Sequence, residues 1–222
     1  MKILGINASP KGAKSQTLIL VKAVLDGAKS KGAKTGLVDI CKLDIEYCKA
    51  CCVCFKTGKC FKKDDFPSLY KKILSADGLV MGSPNYFMSV TAQMKTIIDR
   101  MADAIHCQLL EGKYSVNVAT AGGLGQDRLV TDYLNTVMLN FGAFVTGSAG
   151  VSIRSGAKSF ENARKKAFRL GEALARDIES GKIYKAQSRA HQENRVYFRD
   201  LVKMHGEDWG NEYKYWEKKG WK

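Results

Sequence analysis

An α/β fold is what this 222-residue sequence predicts: five parallel strands wound with helices on both faces, followed by a helical extension. Two observations predict it. Short β-branched and aliphatic runs alternate with stretches of helical period five times in succession, the pattern of right-handed β-α-β crossovers. The composition, 45% hydrophobic and 26% charged, is that of a chain with a buried core.

The strands are expected at 2–6, 35–40, 78–82, 114–120 and 143–151. Between and after them, helical periodicity marks 15–31, 65–74, 89–107, 126–140 and 160–180. In the third helix, Val90, Met94, Ile97, Ile98, Met101 and Ile105 share one face. In the fourth, Leu129, Tyr133, Leu134, Val137 and Phe141 do so. Residues 1–181 then form the sheet domain, and 182–222 stand apart. That extension holds all three tryptophans and 10 Lys+Arg against 6 Asp+Glu. Trp209, Tyr213 and Trp216 fall at helical spacing. Such a stripe packs on its own domain, on a partner subunit, or on a membrane surface.

No apolar run approaches the roughly 18 residues that a membrane-spanning helix needs. Met1-Lys2-Ile3-Leu4-Gly5-Ile6 reads directly into a strand without signal-peptide character. A cytoplasmic setting is therefore expected, where thiols stay reduced and disulfides are rare. Residues 1–63 carry 13 Lys against 4 Asp+Glu, within a net charge of +14. Without a helix-turn-helix, zinc-finger, RRM or KH signature, nucleic acid is not the expected partner. An acidic protein or anionic substrate accounts for the charge equally well.

In a doubly wound sheet, ligands sit beyond the carboxyl ends of the strands. The loop after strand one is rich in hydroxyls and lysines: Ser9, Lys11, Ser15, Gln16 and Thr17. A helix start of this kind suits a phosphate monoester, and equally an ordinary Ser/Thr cap with solvated lysines. After strand three, Pro84 and Asn85 fix a turn, while Tyr86, Phe87 and Met88 put apolar bulk where loops are polar. They would wall a flat heteroaromatic ring or roof the core. After strand four, Thr120, Gly122 and Gly123 allow close backbone approach to a ligand, or a flexible turn. Three such loops at one sheet edge point to a shared site.

Five of the seven cysteines lie within thirteen residues. Cys48, Cys51 and Cys54 form C-x2-C-x2-C, and Cys60 follows after five more residues. Two-residue spacers let successive thiolates converge on one inorganic core. An iron–sulfur cluster, a four-cysteine zinc site and unligated thiols are the alternatives; zinc sites usually show two separated C-x2-C pairs. Lys49, Lys56, Lys59, Lys62 and Lys63 surround the motif and would steer an acidic electron carrier. Cys41 and Cys107 lie outside it and are expected to be packed thiols.

The loop 9–17, the run from Gly82 to Phe87 with Gln93-Met94-Lys95 and Asp99-Arg100, and Gly122-Gly123 together resemble the NAD(P)H-dependent FMN reductase family of flavodoxin-like proteins. The similarity spans about residues 1–150. It implies a flavodoxin-like doubly wound five-stranded parallel sheet in the order 2-1-3-4-5. It also implies that Ser9, Lys11, Ser15, Gln16 and Thr17 cradle the FMN phosphate. Pro84, Asn85, Tyr86 and Phe87 would line the isoalloxazine, with Thr120, Gly122 and Gly123 near its pyrimidine end. Asp99 and Arg100 are implied to be structural, and Gln16 stands where the family commonly has Asn. The cysteine motif after strand two resembles the iron–sulfur flavoprotein branch. That branch implies a [4Fe–4S] cluster on Cys48, Cys51, Cys54 and Cys60, with Cys52 spare.

The implied function is an FMN-dependent oxidoreductase relaying electrons between FMN, the cluster and an external donor or acceptor. NAD(P)H or an acidic carrier such as ferredoxin is the implied donor, and a small molecule such as a quinone, nitro or azo compound the acceptor. A cluster-free NAD(P)H-dependent FMN reductase and a flavodoxin-type carrier are the alternatives, although such carriers are usually acidic. The family also implies a homodimer or homotetramer.

Overall fold

The computed structural model describes residues 1–221. Five parallel strands, β1 (Lys2–Asn7), β2 (Lys34–Asp39), β3 (Gly78–Pro84), β4 (Tyr114–Ala121) and β5 (Phe144–Ser152), pair in the order β2-β1-β3-β4-β5. This is the flavodoxin-like order implied by the sequence. The register shifts between Ser115 and Val116, where β5 bulges past β4.

Nine α-helices surround the sheet among the described residues: α1 (Gln16–Lys29), α2 (Val53–Thr57), α3 (Phe66–Ser75), α4 (Ala92–Arg100), α5 (Ala102–His106), α6 (Gln126–Asn140), α7 (Gly156–Ser180), α8 (Lys185–His205) and α9 (Gly210–Lys218). Alternation along the strands divides the core into two layers. Leu79 and Met81 face Leu69, Ile73, Met94, Ile97 and Leu134 of α3, α4 and α6. Val80, Val116 and Val118 face Leu20, Val24, Ala167 and Leu174 of α1 and α7. There α1 and α7 touch backbone to backbone. A Cβ on Gly27 would lie 2.0 Å from the carbonyl oxygen of Phe168, and one on Gly171 would lie 1.9 Å from that of Val24.

The helix expected at 89–107 is broken. Thr91 caps α4, accepting from the Met94 N–H at 3.3 Å, and Met101 leaves helical geometry at φ −97°, ψ 27° before α5 begins. Val90, expected on the helix face, is buried in the preceding loop. The apolar stripe runs on through the break, so periodicity alone could not reveal it. Likewise α7 begins at Gly156 rather than 160.

The extension folds back on its own chain. Trp216 is fully buried and its Nε1–H donates to the His106 carbonyl at 3.1 Å. Trp209 lies not in α9 but in a 3-10 turn (Gly206–Trp209), stacked on His106 at 4.8 Å and on His205 at 3.9 Å. Tyr213 packs instead on Trp221, at 4.8 Å. The three-residue stripe is thus divided between two surfaces. No helix among the described residues is long and apolar enough to cross a membrane.

Candidate functional site

Two concavities hold most of the residues singled out by the sequence, and the second is walled in part by Asp99 and Arg100 at the end of α4. The first opens at the carboxyl ends of the strands. Thr91 joins its loops: its hydroxyl donates to the Ala8 carbonyl at 3.0 Å, and its N–H donates to the Ser83 hydroxyl at 3.0 Å. Thr17 and Thr120 share a hydroxyl hydrogen bond of 2.7 Å across the floor. Asn85 donates from its backbone to the Thr120 carbonyl at 2.7 Å and from its side chain to the Gln126 carbonyl at 2.8 Å, fixing the third loop against the fourth. The resulting cleft of about 480 Å³ is lined by Ser9, Lys11, Gln16, Thr17, Pro84, Asn85, Tyr86, Thr120 and Gly122, nine of the twelve residues expected there.

The other three sit differently. Ser15 is buried and caps α1, its hydroxyl accepting from the Leu18 N–H at 3.0 Å. Phe87 does not line the cleft; it is fully exposed, with φ at +47°. Gly123 lies beside the Gln126 side chain, outside the lining. Phe87 and Met88 both have positive φ, a conformation costly for bulky residues that turns the apolar tip outward from the wall. Conversely, Lys14, Ala121, Ile153 and Arg154 line the cleft without having been singled out. The signal for Arg154 was available, since a basic residue follows the carboxyl end of β5 at the same sheet edge.

The lining suits an anionic, flat ligand. Lys11, Lys14 and Arg154 supply three cations, and no carboxylate is among the lining residues. The N–H groups of Gln16 and Thr17 open α1 and have no intrahelical acceptor. Gln16 Oε1 is buried without a partner, an amide end that a ligand would satisfy. These features fit a phosphate-bearing cofactor such as FMN.

The second concavity, of about 390 Å³, holds the cysteine motif. Cys48, Cys51, Cys54 and Cys60 all line it, with Val53, Phe55 and Phe61 as apolar walls. Ala50 and Cys52 take left-handed φ values of +51° and +58°, which coil the C-x2-C-x2-C backbone at a cost in strain. Cys52 Sγ donates to the Ala50 carbonyl at 3.6 Å. Among the described residues no three His, Cys, Asp or Glu converge closely enough to hold a single metal ion. Arg100 Nε is buried in this wall with no partner. Four soft donors and an orphaned buried N–H fit a thiolate-bound iron–sulfur group.

Burial, with Asp103 and Glu212 nearby, pushes the Cys54 thiol up to about 12, so it is protonated until a metal displaces the proton. Burial likewise raises Cys41 to about 11 and raises Cys107; Cys107 is a buried thiol, while Cys41 is only half-buried. Lys62 is not a free cation at the motif: its side chain is 4% exposed and paired with Glu46. Phe55, next to Cys54, packs at 4.7 Å on both His106 and Trp209. Glu212 is buried and meets His106 Nδ1 at 3.0 Å, and burial raises its pKa. The extension thereby backs the cysteine loop.

A doubly wound sheet with an anion-binding cleft at its switch point and a cysteine concavity beside it defines a flavodoxin-like redox protein. The NADPH-dependent FMN reductase model matches residues 1–158, and the chain belongs to that family. An iron–sulfur flavoprotein of Archaeoglobus fulgidus is 33% identical over 221 residues, covering 99% of both chains. An iron–sulfur flavoprotein of Clostridioides difficile is 30% identical, over 70% of this chain and 68% of its own. Among solved structures, an FMN-dependent NADH-azoreductase from Bacillus anthracis in complex with FMN shares the fold at TM-score 0.63 and 15% identity, covering 79% of this chain and all of its own. The NAD(P)H:quinone oxidoreductase from Methanothermobacter marburgensis does so at TM-score 0.60 and 17% identity, covering 78% and 98%. The chain is an FMN-dependent oxidoreductase.

Proposed function

We propose that this oxidoreductase relays electrons between FMN in the three-loop cleft, a [4Fe–4S] cluster on Cys48, Cys51, Cys54 and Cys60, and an external donor or acceptor. The observation that carries the reading is the pair of concavities, a cation-lined cleft at the strand ends and a second one lined by all four cysteines of the motif. When bound, FMN exchanges electrons singly or in pairs and the cluster exchanges them singly.

The chain's own residues bind and orient. Lys11, Lys14, Arg154 and the first N–H groups of α1 would neutralise and hold the phosphate, with Ser9 and Gln16 completing its hydrogen bonds. Pro84, Asn85, Tyr86, Thr120 and Gly122, which line the rest of the cleft, would hold the ring. Phe87, solvent-facing here, would meet the ring or substrate from the mouth. The donor would be NAD(P)H or an acidic carrier of the ferredoxin type, drawn by the net charge of +14.

Absorption of anaerobically purified protein before and after reduction, with flavin, iron, acid-labile sulfide and zinc counted, tests the reading. About four irons and four sulfides per chain beside one flavin support it. Flavin without iron or sulfide would leave a cluster-free reductase, whose NAD(P)H oxidation the same preparation would report.

A further inference from the structure

Arg100 ends α4, and its charged side chain is 1% exposed. A guanidinium has five N–H donors, and the structure accounts for four. Nη1 donates to the Glu46 carbonyl at 2.8 Å and to Asp64 Oδ2 at 2.6 Å. Nη2 donates to Asp64 Oδ1 at 3.2 Å and to Cys60 Sγ at 3.3 Å. The fifth donor, on Nε, has no acceptor although it is buried, and Arg100 forms part of the wall of the cysteine concavity. Below the guanidinium lies the Phe66 ring, at 4.4 Å. An Arg–Asp pair serving only to fasten the loop has no need to spend a donor on sulfur.

We propose that Arg100 is the positioning residue of the cysteine site, holding Cys60 through the Nη2–H···Sγ bond and raising the reduction potential of the cluster bound there. The inference rests on the cluster reading above. Reduction adds one negative charge to a thiolate-bound cluster, and hydrogen bonds to its sulfurs favour the reduced form. A buried cation does the same, strongly because the surroundings polarise weakly. Asp64, 2% exposed, cancels part of that charge, so removing it acts in the opposite direction. No proton leaves Arg100 in this account; the electron alone enters the cluster.

The test compares Arg100→Gln and Asp64→Asn with the unaltered chain, all purified anaerobically. Iron and sulfide are counted, and the potential is read from a dithionite titration followed by electron paramagnetic resonance. Dithionite supplies the electron. The expected result is a shift of about tenfold in the reduction equilibrium, 59 mV for one electron, downward in R100Q and upward in D64N. Mere loosening of the loop does not produce shifts of opposite sign. Potentials unchanged in both variants at equal iron content would overturn the proposal. Should R100Q take up no iron, D64N decides, and an unchanged or lowered potential there overturns it. An unaltered chain lacking iron and sulfide removes the cluster reading itself and this inference with it.

Discussion

Replacing Trp216 tests whether the extension is part of the folded unit or an arm awaiting a partner. Trp216 is fully buried, its ring meets Tyr215 edge-on at 5.6 Å, and its Nε1–H satisfies the His106 carbonyl at 3.1 Å. Truncating a buried aromatic to alanine costs about 3–5 kcal/mol, and the abandoned carbonyl belongs to the turn that supports Phe55 through His106. For a chain of this size, about 1 kcal/mol moves Tm by about 2–4 °C, so Trp216→Ala should lower it by about 6–20 °C. Trp216→Phe keeps most of the packing and should lose the hydrogen bond, about 1 kcal/mol. Thermal unfolding by circular dichroism gives the totals, and hydrogen exchange locates them. In W216A, protection should fall in α9 and also in α2, because Trp209 and Asn211 reach the cysteine loop from the extension and Glu212 holds His106 behind it. If exchange in 53–58 is untouched while α9 opens, the extension does not support that loop and the reasoning fails.

His191 predicts an acid-sensitive extension. It is buried against the Ala143 carbonyl, 3.2 Å from Nε2, and beside Phe144. Burial, aided by Arg195, holds its pKa below 6.5 against the pull of the carbonyl and Glu111. The unfolded chain thus binds more protons, and stability present above about pH 6.5 is lost as pH falls below it. Tm should drop between about pH 7.5 and 5.5 in the unaltered chain and less in His191→Gln; parallel curves would count against this. Replacing Lys11 and Lys14 together with alanine should weaken FMN binding by about tenfold while leaving riboflavin, which lacks the phosphate, unchanged. Equal losses for both flavins in fluorescence titrations would contradict the phosphate assignment. Exposed Val196, Tyr197 and Met204 along α8, with Phe87 and Met88 at the cleft mouth, leave apolar surface that a second copy would cover. Sedimentation at micromolar concentration should find a dimer or tetramer, and a monomer would refute it.

What the sequence could reveal follows from which forces act locally. The parallel doubly wound sheet was legible because buried parallel strands read as apolar runs and crossovers have one hand, whereas the order of its strands came only with the family resemblance. The break at Met101 was not, because Met94, Ile97, Met101 and Ile105 keep helical spacing through it. Apolar bulk at 86–88 marked a special loop, yet the direction of Phe87 depends on two positive φ angles that no spacing encodes. A count of lysines could not separate the solvated Lys11 from Lys62, which lies buried against Glu46. The tryptophan stripe correctly signalled a packed face, but Gly206, at φ +52°, ends α8 and moves Trp209 into a separate turn.

The helix α4 is anchored by polar contacts at both of its ends. Its N-terminal cap, Thr91, ties the loops after β1 and β3 together, and its last residue, Arg100, ties Asp64, Glu46 and Cys60 together. Burial of Met94 and Ile97 fixes the helix against the sheet between those ends. Under the proposed relay, these anchors would hold the helix whose last residue carries the contact to Cys60.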